Sequence, residues 1–230
     1  VRSDLPLVVA LADLRRRIDG GLGSRSQAAR WSRALYGYLF YQVWEVGHRA
    51  AGSVPDLDSY LVARIFTSSL PVGIAWLEIA NGYRIPDGEL HSPSVRALGE
   101  MCCAVIGYDN DIISHWKETR RGGDGINLID VLSRELQAPP AKALTEAVAL
   151  RDRVLHRYLR LREQTLPGVS EPTRRYIGDL DAWIRGHIDW AMNSRRYRNP
   201  EVPVSGVADS PSRVDMAPVR GVAHWWDVTA

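Results

Sequence analysis

Apolar side chains recur at the three- and four-residue spacing of an α-helix along almost the whole chain, and this periodicity constrains the fold more than any other feature. No alternating run of Val, Ile or Thr is bounded by hairpin turns, so strands are not expected. Gly, Pro or Ser residues separate the periodic segments. The segments predicted to be helical are 5–18, 24–51, 56–67, 70–81, 92–121, 126–136, 139–164 and 170–198. We therefore expect an all-α protein.

Composition narrows the class of protein further. The 230 residues can bury one sizeable core, and 45% hydrophobic with 24% charged residues is ordinary for a globular domain. A net charge of +2 gives no reason to expect a nucleic-acid partner. No run of 18 apolar residues exists, so no membrane span is expected. Cys102 and Cys103 are adjacent on a predicted helix and are expected to be reduced, core-facing thiols of a cytoplasmic protein.

Three oxygen-bearing side chains, Asn110, Ser114 and Glu118, recur at four-residue intervals inside the predicted helix 92–121. A helix advances about 100° and 1.5 Å per residue, so these side chains share one face. An amide, a hydroxyl and a carboxylate suit a hard cation such as Mg²⁺ and not Zn²⁺ or Cu²⁺. Protein-bound Mg²⁺ is usually completed by phosphate oxygens, and Lys117 adds a cation beside the last ligand. The pattern predicts a diphosphate site, although a solvated polar face would look the same.

The run from Asn110 to Glu118 resembles the second metal-binding motif of class I terpene synthases, in which Asn-Asp is followed by Ser and then by Lys-Glu. Residues 59–68 resemble a second family segment. There the resemblance implies that Arg64 senses the diphosphate and that Ser68 lies at a helix break with its carbonyl facing the substrate. Thr, Ser and Pro residues at positions 67–71 favour such a break. A surface arginine on an amphipathic helix is the alternative for Arg64.

Residues 190–197 resemble the late family helix that ends in an Arg-Tyr pair. The resemblance implies that Arg196 and Tyr197 bind the diphosphate together with Arg64 and Lys117. An arginine can donate two hydrogen bonds to a phosphate, and a tyrosine can donate a third. The alternative is that these cations only stabilise a helix C-terminus. A further stretch, 44–58, is similar to the family's approach to the sensor helix, so the resemblance covers residues 30–199.

One family feature is missing from the sequence. Class I terpene synthases carry an Asp-rich motif that binds two of three Mg²⁺ ions, and the chain contains none; Asp56 and Asp58 lie in a Pro-flanked loop and do not qualify. The chain is therefore expected to be the C-terminal two thirds of such an enzyme, a helical bundle around a central cavity whose N-terminal helices would precede Val1. Residues 1–199 would form this domain, and the triad would hold one of the three ions. Residues 200–230 are expected to be a loosely held tail, with Trp225 and Trp226 able to pin its end.

The resemblance implies a cyclase that ionises a linear isoprenyl diphosphate, with farnesyl diphosphate expected on family frequency, and closes the carbocation in a dry aromatic cavity. Phe66, Trp183 and Trp190 are candidates for the cavity wall, although aromatic residues at helical spacing are more often core. A prenyl-elongating transferase is disfavoured because those enzymes use a second Asp-rich motif in place of Asn, Ser and Glu. A non-catalytic binding or oligomerisation module with a vestigial metal site is the remaining alternative. A homodimer is left open.

Overall fold

The computed structural model describes residues 5–123, 125–197 and 216–229, and it is built of helices with no strand in any of these ranges. The α-helices are α1 Pro6–Arg17, α2 Arg25–Ala51, α3 Leu57–Thr67, α4 Leu70–Asn81, α5 Asp87–Leu90, α6 Pro93–Arg120, α7 Leu128–Glu135, α8 Pro140–Thr165, α9 Glu171–Asn193 and α10 His224–Asp227. A π-helical turn, Ile18–Leu22, follows α1, and 3-10 turns occur at Leu166–Gly168 and Arg195–Tyr197. The predicted all-α class is confirmed, and each of the eight predicted segments contains a helix, although the last helix ends earlier than predicted; the short helices α5 and α10 were not predicted.

Helix α6 is the centre of the bundle, with α3, α4, α7, α8 and α9 packed around it. It begins where the Ser92 hydroxyl accepts a hydrogen bond from the Val95 N–H and Pro93 occupies the first turn. Its side chains from Ser94 to Asp111 are almost all buried. Cys102 and Cys103 lie in this core as free thiols, and burial raises the pKa of both. The helix therefore holds Asn110, Ser114 and Glu118 on a well-packed support.

The predicted helix break between α3 and α4 is confirmed. Ser68 ends α3, and Ser69 adopts a left-handed conformation with φ of 60° before Pro71 enters the first turn of α4. Residues Leu57–Asn81 are together long and apolar enough to pass a compositional test for a membrane span. The segment is two helices, however, and both pack against α2 and α6. We therefore interpret it as two consecutive helices of the bundle.

Helix α9 ends at Asn193, so the prediction that it runs to residue 198 is wrong. Ser194 is extended, with φ of −78° and ψ of 132°, and its N–H donates to the Trp190 carbonyl oxygen at 2.8 Å. Residues Arg195–Tyr197 then form a separate 3-10 turn. Tyr197 therefore contacts Trp190 from a separate turn, and the two residues do not lie on one face of a continuous helix. Residues 198 and 199 lie outside the described ranges.

The C-terminal segment 216–229 packs against the bundle, so the expectation of a loosely held tail is wrong for these residues. Trp225 is fully buried, and its indole N–H donates to Glu100 Oε2 at 3.0 Å. Arg157 of α8 donates to the carbonyl oxygens of Trp225, at 2.9 Å, and of Val228. The expected pinning by Trp225 is thus confirmed, because a buried indole and paired carbonyl groups hold the segment. The rest of the predicted tail, 200–215 and 230, lies outside the described ranges.

One face of α2 is apolar and exposed. Tyr36, Phe40, Val43 and Val46 follow one another at helical spacing and are 72%, 70%, 71% and 58% exposed, respectively. Such a stripe normally faces a core in a globular helix. Within the described parts of the chain, α2 packs against α3 and α4 through its other side.

Candidate metal and diphosphate site

Arg64 of α3 forms a buried ion pair with Asp111 of α6. Its Nη2 lies 2.6 Å from Asp111 Oδ1, and its Nε donates to Oδ2 at 3.1 Å. Tyr60, one helical turn before Arg64, donates its hydroxyl to Asp111 Oδ2 at 2.6 Å. Burial alone would lower the pKa of Arg64, but the Asp111 carboxylate outweighs it and raises that pKa. Burial and Asp111 raise the pKa of Tyr60 well above its usual value, so Tyr60 is a neutral donor.

Asn110 joins the predicted sensor to the predicted Arg-Tyr pair. Arg64 Nη2 donates to Asn110 Oδ1 at 3.0 Å, and Asn110 Nδ2 donates to the Tyr197 hydroxyl at 2.9 Å. With Nη2 and Nε of Arg64 engaged by α6, its Nη1 makes no hydrogen bond to any residue that the structure describes. The structure thus brings Arg64, Asn110 and Tyr197 together from three separate helical elements.

The other two predicted ligands, Ser114 and Glu118, are in direct contact. The Ser114 hydroxyl donates to Glu118 Oε1 at 2.6 Å. Glu118 Oε2 accepts a second hydrogen bond, at 3.0 Å, from the side-chain amide of Asn127, the N-cap residue of α7. Ser114 is buried, whereas Glu118 reaches the cleft described below.

The predicted cations lie next to Tyr197. The Lys117 ammonium is 4.8 Å from the centre of the Tyr197 ring, and the Arg196 guanidinium is 5.8 Å from it. Burial and the nearby positive charge of Arg196 lower the pKa of Lys117. Two cations held this close to each other repel, and a bound anion would relieve that repulsion.

A cleft of about 430 Å³ lies beside these side chains. Its wall is formed by Glu45, Arg49, Arg64, Asn110, Asp111, Glu118, Arg121, Gly122, Gly123 and Ile126. Arg49 pairs with Glu45 at 2.5 Å. Oxygen donors and arginines therefore face the same space, as a metal–diphosphate complex requires.

The residues present fit a hard divalent cation. An amide, a hydroxyl and a carboxylate, from Asn110, Ser114 and Glu118, follow one another along one side of α6. Each Glu118 oxygen accepts one hydrogen bond and keeps a lone pair for a cation. Among residues 5–123, 125–197 and 216–229 no cluster of three His, Cys, Asp or Glu side chains suited to a metal occurs. The triad is accordingly the metal-binding candidate of the described structure.

The three predicted cavity residues lie in different places. Phe66 stacks on Tyr41 at 4.6 Å between ring centres and lines a second pocket of about 490 Å³ beside α2 and α4. Trp183 packs against Gly73 of α4 so closely that an added Cβ would lie 2.3 Å from its ring. Trp190 is 52% exposed and packs edge-on against Tyr197 at 5.2 Å. Ser68 caps α3, and its hydroxyl donates to the Ile65 carbonyl oxygen.

Sequence reasoning missed three residues that hold this site together. Asp111 sits inside the recognised motif but was not assigned a role, and Tyr60 precedes Arg64 by one helical turn. The spacing could have revealed Tyr60, because residues four apart share a face, whereas Asp111 joins the site through a contact between two helices. Asn127 gave no such signal, since its contact with Glu118 depends on how the loop between α6 and α7 folds back.

The fold and the site together define an all-α protein in which two residues of the oxygen-donor triad, Asn110 and Glu118, and several arginines line one cleft. Residues 2–157 match the family model described as terpene synthase family 2, C-terminal metal binding. The chain therefore belongs to the terpene synthase family.

Individual relatives agree with this assignment. The chain is 37% identical over 236 residues to bonnadiene synthase of Allokutzneria albata, covering 96% of the chain and 64% of that protein. It is 34% identical to the (+)-(1(10)E,4E,6S,7R)-germacradien-6-ol synthase of Streptomyces pratensis, covering 94% and 63%. A crystal structure of SVS_A2, a protein from ancestral sequence reconstruction, superposes with a TM-score of 0.85 at 33% identity, covering 98% and 65%. The chain thus spans slightly less than two thirds of these relatives.

Proposed function

We propose that this chain provides the metal- and diphosphate-binding part of a Mg²⁺-dependent terpene cyclase acting on a linear isoprenyl diphosphate. The observation that carries the proposal is that Arg64, Asn110 and Glu118 line one cleft from two helices, and that Tyr197, from a third element, is hydrogen-bonded to Asn110. A merely solvated polar face on α6 would not require a buried, ion-paired arginine from α3 beside it.

The names of relatives support the substrate class. A protein of Streptomyces clavuligerus that is 33% identical over 97% of the chain is named (+)-T-muurolol synthase ((2E,6E)-farnesyl diphosphate cyclizing). A linalool/nerolidol synthase from the same organism, with a TM-score of 0.75 and 26% identity, was crystallised with 2-fluorogeranyl diphosphate. We accordingly propose farnesyl diphosphate as the substrate. From the family resemblance we also propose a cytoplasmic location and three Mg²⁺ ions in the active enzyme, one of them bound by the triad.

The residues would act on the leaving group. When the allylic C–O bond breaks, the diphosphate takes the electron pair and its negative charge grows. In this proposal Arg64 Nη1, Lys117 and Arg196 would stabilise that charge, and Tyr197 would donate a hydrogen bond; their mutual contacts around Asn110 and the Tyr197 ring support these roles. Asn110, Ser114 and Glu118 would hold Mg²⁺, which supplies Lewis-acid stabilisation of the same group. Ser68 at the helix break, with Phe66, Trp183 and Trp190 as wall residues, would face the hydrocarbon.

Calorimetric titration with inorganic diphosphate tests the site. The 230-residue chain should bind diphosphate in a Mg²⁺-dependent manner, and Glu118→Gln should weaken this binding roughly tenfold or more, because it removes the only carboxylate ligand. Glu163→Gln, a change of the same kind on an exposed part of α8, should have no effect. The assignment would be overturned if diphosphate bound equally well without Mg²⁺, or if the Glu118→Gln variant bound diphosphate as tightly as the wild type does.

Product analysis tests the reaction. The polypeptide encoded by the complete gene, incubated with farnesyl diphosphate and Mg²⁺, should give a cyclic hydrocarbon or alcohol by gas chromatography, and its Glu118→Gln variant should not. Diphosphate binding without a cyclic terpene from any linear isoprenyl diphosphate would favour a non-catalytic binding module.

A further inference from the structure

We propose that Asn127 is a positioning residue that fixes the Glu118 carboxylate for metal binding; this inference rests on the proposed function. Asn127 is the N-cap residue immediately before α7, and it is not one of the three proposed metal ligands. Its side chain is buried, with 2% of the residue exposed, and it reaches back across the loop to α6.

The side-chain amide of Asn127 is held in one orientation. Its Oδ1 accepts from the Ile129 N–H at 2.9 Å, and its Nδ2 donates to the Asp111 carbonyl oxygen at 3.2 Å. A backbone N–H can only donate and a carbonyl oxygen can only accept, so a flipped amide would lose both bonds. The amide nitrogen is therefore fixed where it also donates to Glu118 Oε2 at 3.0 Å.

Glu118 needs this support because of its place in α6. The helix ends two residues later, at Arg120, and last turns fray. The partial negative charge at a helix C-terminus also disfavours a carboxylate there. Ser114 holds one carboxylate oxygen from within the same helix, whereas Asn127 holds the other from outside it and is itself bonded to the backbone of buried Asp111. The two donors together leave Glu118 little rotational freedom.

A simple capping role does not account for these contacts. An N-cap needs only an acceptor for a backbone N–H of the first turn, and Oδ1 of Asn127 provides it. The amide nitrogen is not needed for the cap, yet both of its described bonds go to α6. Asn127→Ser keeps a good N-cap acceptor and removes the donor to Glu118, so this change separates the two roles.

Manganese can report on the site because Mn²⁺ takes the same oxygen ligands and free Mn²⁺ is measured by electron paramagnetic resonance. In the presence of inorganic diphosphate, Asn127→Ser should weaken Mn²⁺ binding roughly tenfold. This is the lower end of the loss in metal affinity that follows removal of a residue that orients a metal ligand. In a cyclase-active polypeptide it should raise the Mg²⁺ concentration for half-maximal rate and leave the rate at saturating Mg²⁺ nearly unchanged.

Asp56→Ser is the matched control, because Asp56 caps α3 through the Ser59 N–H and contacts none of the triad. It exchanges an N-cap side chain for serine in the same way as Asn127→Ser and should leave Mn²⁺ binding unchanged. If Asn127→Ser binds Mn²⁺ as wild type does, while Glu118→Gln does not, the positioning role is wrong and the proposed function stands. If wild type itself fails to bind Mn²⁺ with diphosphate, the proposed function fails. Should Asn127→Ser not fold, Asn127→Asp, which keeps the cap and shape but loses the donor, is compared in the same assay.

Discussion

Arg64 and Asp111 form a buried ion pair that joins the helix carrying the predicted diphosphate sensor to the helix carrying the metal-ligand triad. The pair uses Nε and Nη2 of the guanidinium and leaves Nη1 without a hydrogen bond among the described residues. Since Tyr60 and the Leu128 N–H also donate to the Asp111 carboxylate, at 2.6 and 3.4 Å, the charge of Asp111 is held in place by donors from two neighbouring helices, α3 and α7. Arg64 is thereby fixed before any substrate arrives.

Asp111→Asn should lower the free energy of unfolding by about 3 kcal/mol, because it leaves the Arg64 charge buried without its counter-ion. Chemical denaturation monitored by circular dichroism measures the loss. Asp189→Asn is the control, since Asp189 pairs with Arg185 on the exposed side of α9, and its cost should stay below about 1 kcal/mol. Equal effects of the two changes would show that the buried pair contributes no more than a surface pair.

The fold was predictable from sequence to a large extent because helix periodicity and Ser, Pro or Gly boundaries are local signals. The triad on α6 and the break at Ser68–Ser69 were predictable for the same reason. The end of α9 was not, because Ser194 leaves the helix although the aromatic spacing continues to Tyr197. The partners of the site, Asp111 and Asn127, depend on contacts between elements, and such contacts leave no periodic trace in a single sequence.

Arg64→Lys and Arg196→Lys should each weaken Mg²⁺-dependent binding of inorganic diphosphate by roughly tenfold, because an ammonium cannot reproduce the planar, two-pronged donor. The Arg64 change should also lower stability, since it loses part of the Asp111 contact, whereas the Arg196 change should not. Calorimetry and thermal denaturation separate the two effects. Arg185→Lys, at an exposed position, is the control. Undiminished binding by Arg196→Lys would remove that residue from the site.

Gly73→Ala should destabilise the protein by about 1–3 kcal/mol, because the new Cβ would overlap the Trp183 ring. In a Trp183→Phe background the smaller ring leaves room, so the same change should become stabilising by up to about 1 kcal/mol through helix propensity. Gly178→Ala, where nothing lies within 4 Å of an added Cβ, should be favourable in both backgrounds. Thermal denaturation is measured for Gly or Ala at position 73 combined with Trp or Phe at position 183. If Gly73→Ala has the same effect with either residue at position 183, the contact does not limit the size of residue 73.

Trp225→Ala should cost about 3–5 kcal/mol, because it empties a fully buried site and removes the hydrogen bond to Glu100. Trp190→Ala, at a half-exposed indole, should cost about 1 kcal/mol. Urea unfolding of both variants tests whether residues 216–229 are an integral part of the bundle. A negligible loss for Trp225→Ala would mean that the segment contributes little to stability.

The 230-residue chain by itself should give no cyclised product from farnesyl diphosphate and Mg²⁺. The part that the structure describes offers the substrate the triad alone, whereas we propose three ions for the active enzyme, and this part has no cluster of three His, Cys, Asp or Glu side chains suited to a metal. Gas chromatography of extracts, with Glu118→Gln as the blank, measures the outcome. A cyclic terpene made by this chain and absent from the blank would show that one ligand set is sufficient and that the Asp-rich motif is dispensable for ionisation.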